Sequence, residues 1–326
     1  MNKPVLAIVI PGYNEEEVLP STISHLSGLL EEMHKEGLIS DRSFLFFVDD
    51  GSTDRTWTVI RENAQHNRFV KGIKLSGNRG HQIALMAGIR EAYPHSDCLI
   101  TIDADLQDDT AVIPDMVKAC REGYDIVYGV RNDRHTDSFF KRLFAETFYK
   151  IRETLGIKTV YNHADFRLMN KRTTAALLEY PERNLYLRGL VPLLGFRSKR
   201  VFYERKKRVA GTSKYPFRKL AYLAWDGITS FSVVPIKLIS LAGFLIFLGS
   251  GVMGLYILYV KLFTDQAIRG WASTTIPIYF LGGIQLLALG ILGEYIGKIY
   301  KEVKRRPLYF IQDKTDVEDE KRIDTN

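Results

Sequence analysis

Over its first 130 residues the chain alternates short apolar, β-branched runs with longer stretches in which apolar residues recur at helical spacing. Val5–Ile10, Phe44–Val48, Val70–Leu75, Cys98–Ile102 and Ile126–Tyr128 read as strands. Glu17–Glu36, Asp54–Gln65, Gln82–Ala92 and Ala111–Arg121 read as the helices between them. This β-α-β-α rhythm predicts an α/β domain with a mostly parallel, Rossmann-like sheet under covering helices. Ligands of such sheets sit beyond the carboxyl ends of the strands, so the loops there are where chemistry is expected.

Further along, the pattern changes. Leu238–Val260 is 23 residues without a charge, and Ala272–Gly293 is another 22. Each is long enough to cross a bilayer as a helix, with a buried helix pair as the competing reading. Arg218, Lys219 and Lys237 precede the first run, and Lys298, Lys301, Lys304, Arg305 and Arg306 follow the second, whereas the loop between them holds only Lys261 and Arg269. Because positive residues stay inside, both termini and the large domain are expected on the cytosolic face of a bacterial-type plasma membrane. The expected organisation is a catalytic domain over 1–215, a juxtamembrane amphipathic helix over 216–237, and spans over 238–260 and 272–296. An extracytosolic loop, 261–271, joins the spans, and 297–326 forms a cytosolic tail. Past Pro307 that tail is polar and mixed in charge, which predicts disorder. Asp137–Leu155 carries Phe139, Phe140, Leu143, Phe144, Phe148, Ile151 and Leu155 toward one helical face. It is a candidate to lie in the lipid interface or to pack on the sheet. Closely spaced glycines in both apolar runs suit helix packing and allow a homo-oligomer.

Composition narrows the class. A composition of 46% hydrophobic and 25% charged residues disfavours a disordered chain and excludes a chain made mostly of spans. Two cysteines, Cys98 and Cys120, without a CxxC pattern, point to neither a disulfide framework nor structural zinc. The formal charge of +7 is unevenly spread: residues 1–130 carry 12 basic and 20 acidic side chains, and residues 131–237 carry 23 and 9. The basic segment abuts an apolar run, so it suits phosphate at a membrane surface better than a nucleic acid.

Every strand end is polar: Pro11-Gly12-Tyr13-Asn14-Glu15, Asp49-Asp50-Gly51-Ser52-Thr53-Asp54, Asn78-Arg79-Gly80 and Asp103-Ala104-Asp105-Leu106-Gln107-Asp108-Asp109. No GxGxxG or GxxxxGK[ST] pattern is present, which disfavours a dinucleotide fold or a P-loop ATPase. Asp103 and Asp105, two apart at a strand end, make a hard-oxygen pair suited to Mg²⁺ or Mn²⁺ and a diphosphate. An acidic turn in which Asp108 or Asp109 caps the next helix is the competing reading, and Asp49 and Asp50 at a neighbouring strand end tip the balance against it. Arg131 and Arg134 after the fifth strand, and Arg205 to Lys214 around Gly211, have the makings of a phosphate clamp.

Those four loops resemble the nucleotide-sugar motifs of family 2 glycosyltransferases with the GT-A fold. The Asp-Ala-Asp-Leu-Gln-Asp form, followed by two apolar runs, narrows the resemblance to polyisoprenyl-phosphate glycosyltransferases, namely dolichol-phosphate mannose synthases and GtrB-type bactoprenol glucosyltransferases. The resemblance implies a GT-A domain followed by two transmembrane helices. It implies Pro11, Tyr13, Glu15, Asp50 and Asp103 around the nucleotide-sugar donor, with Asp50 at the base, and Asp105 and Gln107 on a Mg²⁺ or Mn²⁺ ion. Arg131, Arg205, Ser213 and Lys214 would bind donor or acceptor phosphate, the acceptor being a polyprenyl phosphate such as undecaprenyl phosphate. Asp165, in His163-Ala164-Asp165-Phe166-Arg167, matches the proposed catalytic residue. An acceptor phosphomonoester is already largely a dianion, with a second pKa of about 6, so Asp165 is expected to orient the acceptor or a basic neighbour such as Arg167. A bare salt bridge to Arg167 stays open. A processive synthase is disfavoured because Gln266 to Trp271 misses a QxxRW motif by one residue. A sugar-nucleotide sensor or lipid-sugar translocation subunit is the non-enzymatic alternative.

Overall fold

A computed structural model describes residues 3–131, 163–183, 185–204 and 271–315, with scattered positions between 236 and 263. The stretch 137–155, nearly all of 216–237, and Arg205, Ser213 and Lys214 lie outside the described residues. The chain divides into two compact units, one of residues 1–153, 158–214 and 306–326, the other of 154–157 and 215–305.

In the first unit β1 (Leu6–Gly12), β2 (Phe44–Asp49), β3 (Val70–Leu75) and β4 (Cys98–Thr101) are parallel neighbours, joined through α1 (Leu19–Lys35), α2 (Thr56–His66) and α3 (His81–Ala92). Both faces of this sheet are covered, which is why Leu6–Ile10 and Phe44–Asp49 are buried at every position instead of alternating. Helix α3 comes unusually close to it. A Cβ on Gly88 would lie 2.5 Å from Val9 Cγ1 and 2.6 Å from Val48 Cγ2, so only glycine lets the helix seat there. That approach fixes the N-terminus of α3, and with it His81 and Gln82, beside the strand ends.

After α4 (Ile113–Arg121) the order departs from a simple progression. Strand β5 (Ile126–Arg131) does not pair with β4, because β6 (His163–Asn170) inserts between them, antiparallel to both. The inserted strand is capped at its end: Asn170 accepts the Thr173 amide at 2.9 Å and starts α5 (Lys171–Leu178). Helix α6 (Leu187–Leu193) leads to β7 (Ser198–Tyr203), which lies parallel beside β5. The final order is β7-β5-β6-β4-β1-β2-β3-β8, with only β6 and β8 running against the rest.

Strand β8 corrects the expectation of a disordered tail. Ile311–Lys314 pairs antiparallel with β3 and covers its open edge. The Thr315 amide donates to Gly72 O and the Gly72 amide to Thr315 Oγ1, each at 3.0 Å, while the Trp57 indole donates to Asp313 Oδ2 at 2.9 Å. The segment reads as polar because it is an edge strand with one solvent-facing side, and its partner is far away in sequence.

The second unit contains α7 (Trp271–Lys304), a helix of 34 residues. Judged on the described residues, no helix is long and apolar enough to cross a membrane. The two-span expectation therefore rests on the sequence.

Ending the chain at Arg306 is expected to lower the stability of the sheet unit on the order of 2–4 kcal/mol, from several net hydrogen bonds of roughly 1 kcal/mol each, and to promote association through β3. An unchanged thermal midpoint with no added aggregation would show that β8 is dispensable.

Candidate active site

The loops after β1 and β2 are sewn together. Asn14 sits at φ 55°, a left-handed conformation its short polar side chain tolerates, and its amide donates to Ser52 Oγ while its Oδ1 accepts the Thr53 amide, both at 2.9 Å. Glu15 turns back over Gly12, and its amide donates to Thr56 Oγ1. Pro11 closes the buried end of β1, whereas the Tyr13 ring is exposed and can stack on a planar ligand. Asp50 is buried, with Oδ1 accepting the Arg79 amide at 2.7 Å and Oδ2 the Gly80 amide at 2.8 Å. Burial pushes its carboxyl up, and the two amides pull it part of the way back. It therefore shapes the Asn78-Arg79-Gly80 loop directly. Gly51 (φ 67°) makes the crossing possible, since a Cβ there would fall 2.4 Å from the Gly77 carbonyl carbon.

Beyond β4 the chain makes a tight turn through Leu106 at φ 45°, and Asp105 Oδ1 accepts the Gln107 amide at 3.3 Å. The competing reading of this acidic turn is half right. Asp109 caps the next short helical turn by accepting the Ala111 amide, but Asp108 does not. Asp108 is buried and accepts from Arg131 Nη2 at 2.8 Å and from the Tyr203 hydroxyl at 2.6 Å. Arg131, at the end of β5, is thereby held by Asp108 from the turn after β4 and by Tyr203 at the end of β7. Tyr203 is held above the usual phenol range, first by burial and then by the Asp108 charge.

Antiparallel register decides where Asp165 lies. Thr101, the last residue of β4, pairs with Arg167, so Asp165 lies two residues past that pair, on the side where the chain leaves β4 toward Asp103. His81 Nε2 bridges the two, 3.6 Å from Asp103 Oδ1 and 3.5 Å from Asp165 Oδ2. Asp165 is 4% exposed and accepts from Arg167 Nη2 at 2.6 Å and Arg188 Nη2 at 2.9 Å, with Gln82 Nε2 at 3.4 Å. Burial alone would raise its carboxyl, but Arg188, His81 and Arg167 together hold it well below the usual carboxylate range. Asp103 goes the other way: it is pushed up by desolvation and by Asp165, Asp108 and Asp105, against the pull of His81.

The structure thus brings Asp103, Asp105, Gln107 and Asp165 to the ends of β4 and β6, and Arg131 to the adjoining end of β5. The neighbouring strand-end loops, after β1 and β2, hold Pro11, Tyr13, Glu15 and Asp50. Sequence reasoning missed His81, Gln82, Tyr203 and Arg188. His81 and Gln82 directly follow the Asn78-Arg79-Gly80 loop, which is a usable signal, but nothing in the spacing marks Arg188.

Residues 7–178 match the family model described as glycosyl transferase family 2. The chain belongs to this family. It is an enzyme, a hexosyltransferase. An uncharacterised glycosyltransferase of Bacillus subtilis, YkoT, is 53% identical over 95% of this chain and 92% of its own length. The bactoprenol glucosyl transferase derived from prophage SfII of Shigella flexneri is 38% identical over 94% of this chain and 97% of its own. Glucosyl-3-phosphoglycerate synthase from Mycobacterium tuberculosis superposes with a TM-score of 0.48 at 17% identity, covering 70% of this chain and 79% of that one.

Among the described residues no three His, Cys, Asp or Glu side chains converge into a metal cluster. The donor set at the β4 turn still fits Mg²⁺ or Mn²⁺. Such ions are held by one or two protein oxygens with the remainder from water and substrate phosphate, and Asp105 and Gln107 share one tight turn.

Because the folded-state pKa of Asp165 is depressed, its contribution to stability is present above the unfolded value of about 3.9 and is lost as pH falls from there toward the lower folded value. Asp165→Asn is therefore expected to be less stable at pH 7 by about 3 kcal/mol, the cost of breaking a buried pair, with the gap closing below pH ~4. A gap that stays constant between pH 7 and pH 3, measured by denaturant unfolding, contradicts this account.

Proposed function

We propose that this glycosyltransferase moves a hexose from a nucleotide-sugar, UDP-glucose or a UDP-N-acetylhexosamine, to a polyprenyl phosphate such as undecaprenyl phosphate, with inversion. What carries the reading is the meeting of two opposite chemistries at one set of strand ends. The carboxylates Asp103 and Asp105 stand where a diphosphate needs a cation, and the fixed guanidinium of Arg131 stands where a phosphate needs a counter-charge. Relatives named bactoprenol glucosyl transferases support the acceptor class.

In this reading an oxygen of the acceptor phosphate forms a bond to the anomeric carbon. The bond from that carbon to the diphosphate oxygen breaks, releasing the nucleoside diphosphate. The Tyr13 ring stacks on the base, and Pro11, Glu15 and Asp50 shape its pocket. Asp105 and Gln107 hold a Mg²⁺ or Mn²⁺ ion, which would neutralise charge on the departing diphosphate. Arg131, with Arg205, Ser213 and Lys214, holds phosphate. Asp165 serves as a fixed anion and not as a base: it already carries two guanidiniums, and the acceptor needs no deprotonation.

The membrane arrangement belongs to the same proposal: two spans, with the sheet unit and both termini on the cytosolic face of a bacterial-type plasma membrane, and self-association through the glycine-rich runs. Helix α7 would extend about 50 Å at 1.5 Å per residue, and large apolar side chains such as Ile278, Phe280 and Leu289 are exposed along it. The return of the chain to form β8 supports an even number of crossings, because residues before 215 and after 306 share one sheet unit.

Incubating the full-length enzyme in nanodiscs with undecaprenyl phosphate and a panel of labelled UDP- and GDP-sugars is expected to give lipid-linked sugar with one UDP-hexose. No lipid product from any donor would remove the reading. Asp105→Ala is expected to lose at least 100-fold in turnover at unchanged thermal midpoint, and substantial turnover that still requires metal would take Asp105 out of the site.

A further inference from the structure

Arg188 touches no substrate in the reading above, yet its side chain and the backbone before it are both held by named partners. Its backbone is pinned just before it. The Leu187 amide donates to Gln82 Oε1 at 3.0 Å, and the Leu187 carbonyl accepts from Arg167 Nη1 at 3.1 Å. The side chain is then held along one edge, with Nε and Nη2 donating to Asp165 Oδ2 at 3.2 and 2.9 Å. Nη1 donates to no described residue.

Exposure separates the two arginines on Asp165. Arg167 is 1% exposed and bonded to both Asp165 and Leu187 O, so its guanidinium is closed off inside the fold. Arg188 has 42% of its side chain exposed. His81 touches both Asp103 and Asp165, so Arg188 stands at the same strand ends as the acidic turn. With two carboxylates and two guanidiniums there, what marks Arg188 is an open donor edge held in fixed geometry, which an incoming anion can use. A guanidinium anchored by one edge keeps its other donors in fixed geometry for a phosphate oxygen.

We infer that Arg188 is a substrate-contacting residue that binds a phosphate oxygen at the end of β6, and that Asp165 is the positioning residue that presents it. The inference rests on the transferase reading, since the phosphate is either the diphosphate of the donor or the monophosphate of the lipid acceptor.

The test uses full-length Arg188→Gln and Arg188→Lys in nanodiscs, varying donor and undecaprenyl phosphate separately. Loss of a charge-assisted hydrogen bond predicts that Arg188→Gln loses about 10- to 100-fold in kcat/KM, carried by a higher KM for one of the two substrates, with Arg188→Lys in between. A rise confined to the donor KM assigns the diphosphate, with weaker calorimetric binding of UDP as an independent readout. A rise confined to the lipid KM assigns the acceptor phosphate. If both kcat/KM values stay within about twofold of wild type, or if kcat falls only as far as the folded fraction falls while both KM values hold, the inference is overturned. Inactivity of the wild type on every donor strikes the transferase reading instead, and calorimetric UDP binding then decides the inference: weaker binding by Arg188→Gln than by wild type upholds it, and equal binding or none by wild type overturns it.

Discussion

A carboxylate removed from water must be neutralised or compensated, and the sheet is arranged around one that is compensated. Asp165 lies inside β6, the strand that runs against its neighbours, and its two oxygens receive Arg167 from its own strand and Arg188 from α6. Removing the helix would take Arg188 from Asp165 and leave the buried carboxylate with Arg167 as its guanidinium partner. The same interaction carries the backbone of Leu187 to Gln82 at the start of α3. One ion cluster therefore joins β6, α6 and α3, elements separated by about a hundred residues of chain.

Around that cluster the strand ends are electrostatically divided. Asp103 is driven toward its neutral form by burial and then by its carboxylate neighbours, while Asp165, one strand across, is driven toward its charged form by Arg188, His81 and Arg167. Two acids side by side are thus given opposite tendencies by their surroundings, a pattern that marks functional sites more often than structural ones. Asp108, in a turn that looks like a helix cap, instead accepts from Tyr203 and Arg131 and so orients that cation at the strand ends.

The parts of the fold legible in the sequence are those built from neighbouring segments. Strands β1 to β5 and helices α1 to α4 announce themselves because each is a local periodic pattern, and the parallel β1–β4 core follows from their order. What the sequence hides is long-range pairing. Nothing near Val127 says that it lies against Leu168, and the exposed, alternating Ser198–Tyr203 and Ile311–Lys314 carry too few apolar residues to read as strands. The site divides the same way. The aspartates at the strand ends are visible as motifs, and Gln82 and His81 adjoin one, but Arg188 acquires its meaning only through contact with a residue 23 positions earlier.

Strand β8 also sets an order of assembly. The bonds between Gly72 and Thr315 join residues 243 apart, across everything between β3 and the end of α7. During synthesis the edge of β3 stays bare until residues 311–315 have been made, a state in which exposed strands are prone to wrong pairing. Residues 311–315 act as a closing signal: the catalytic sheet is completed only in molecules whose translation has passed β8.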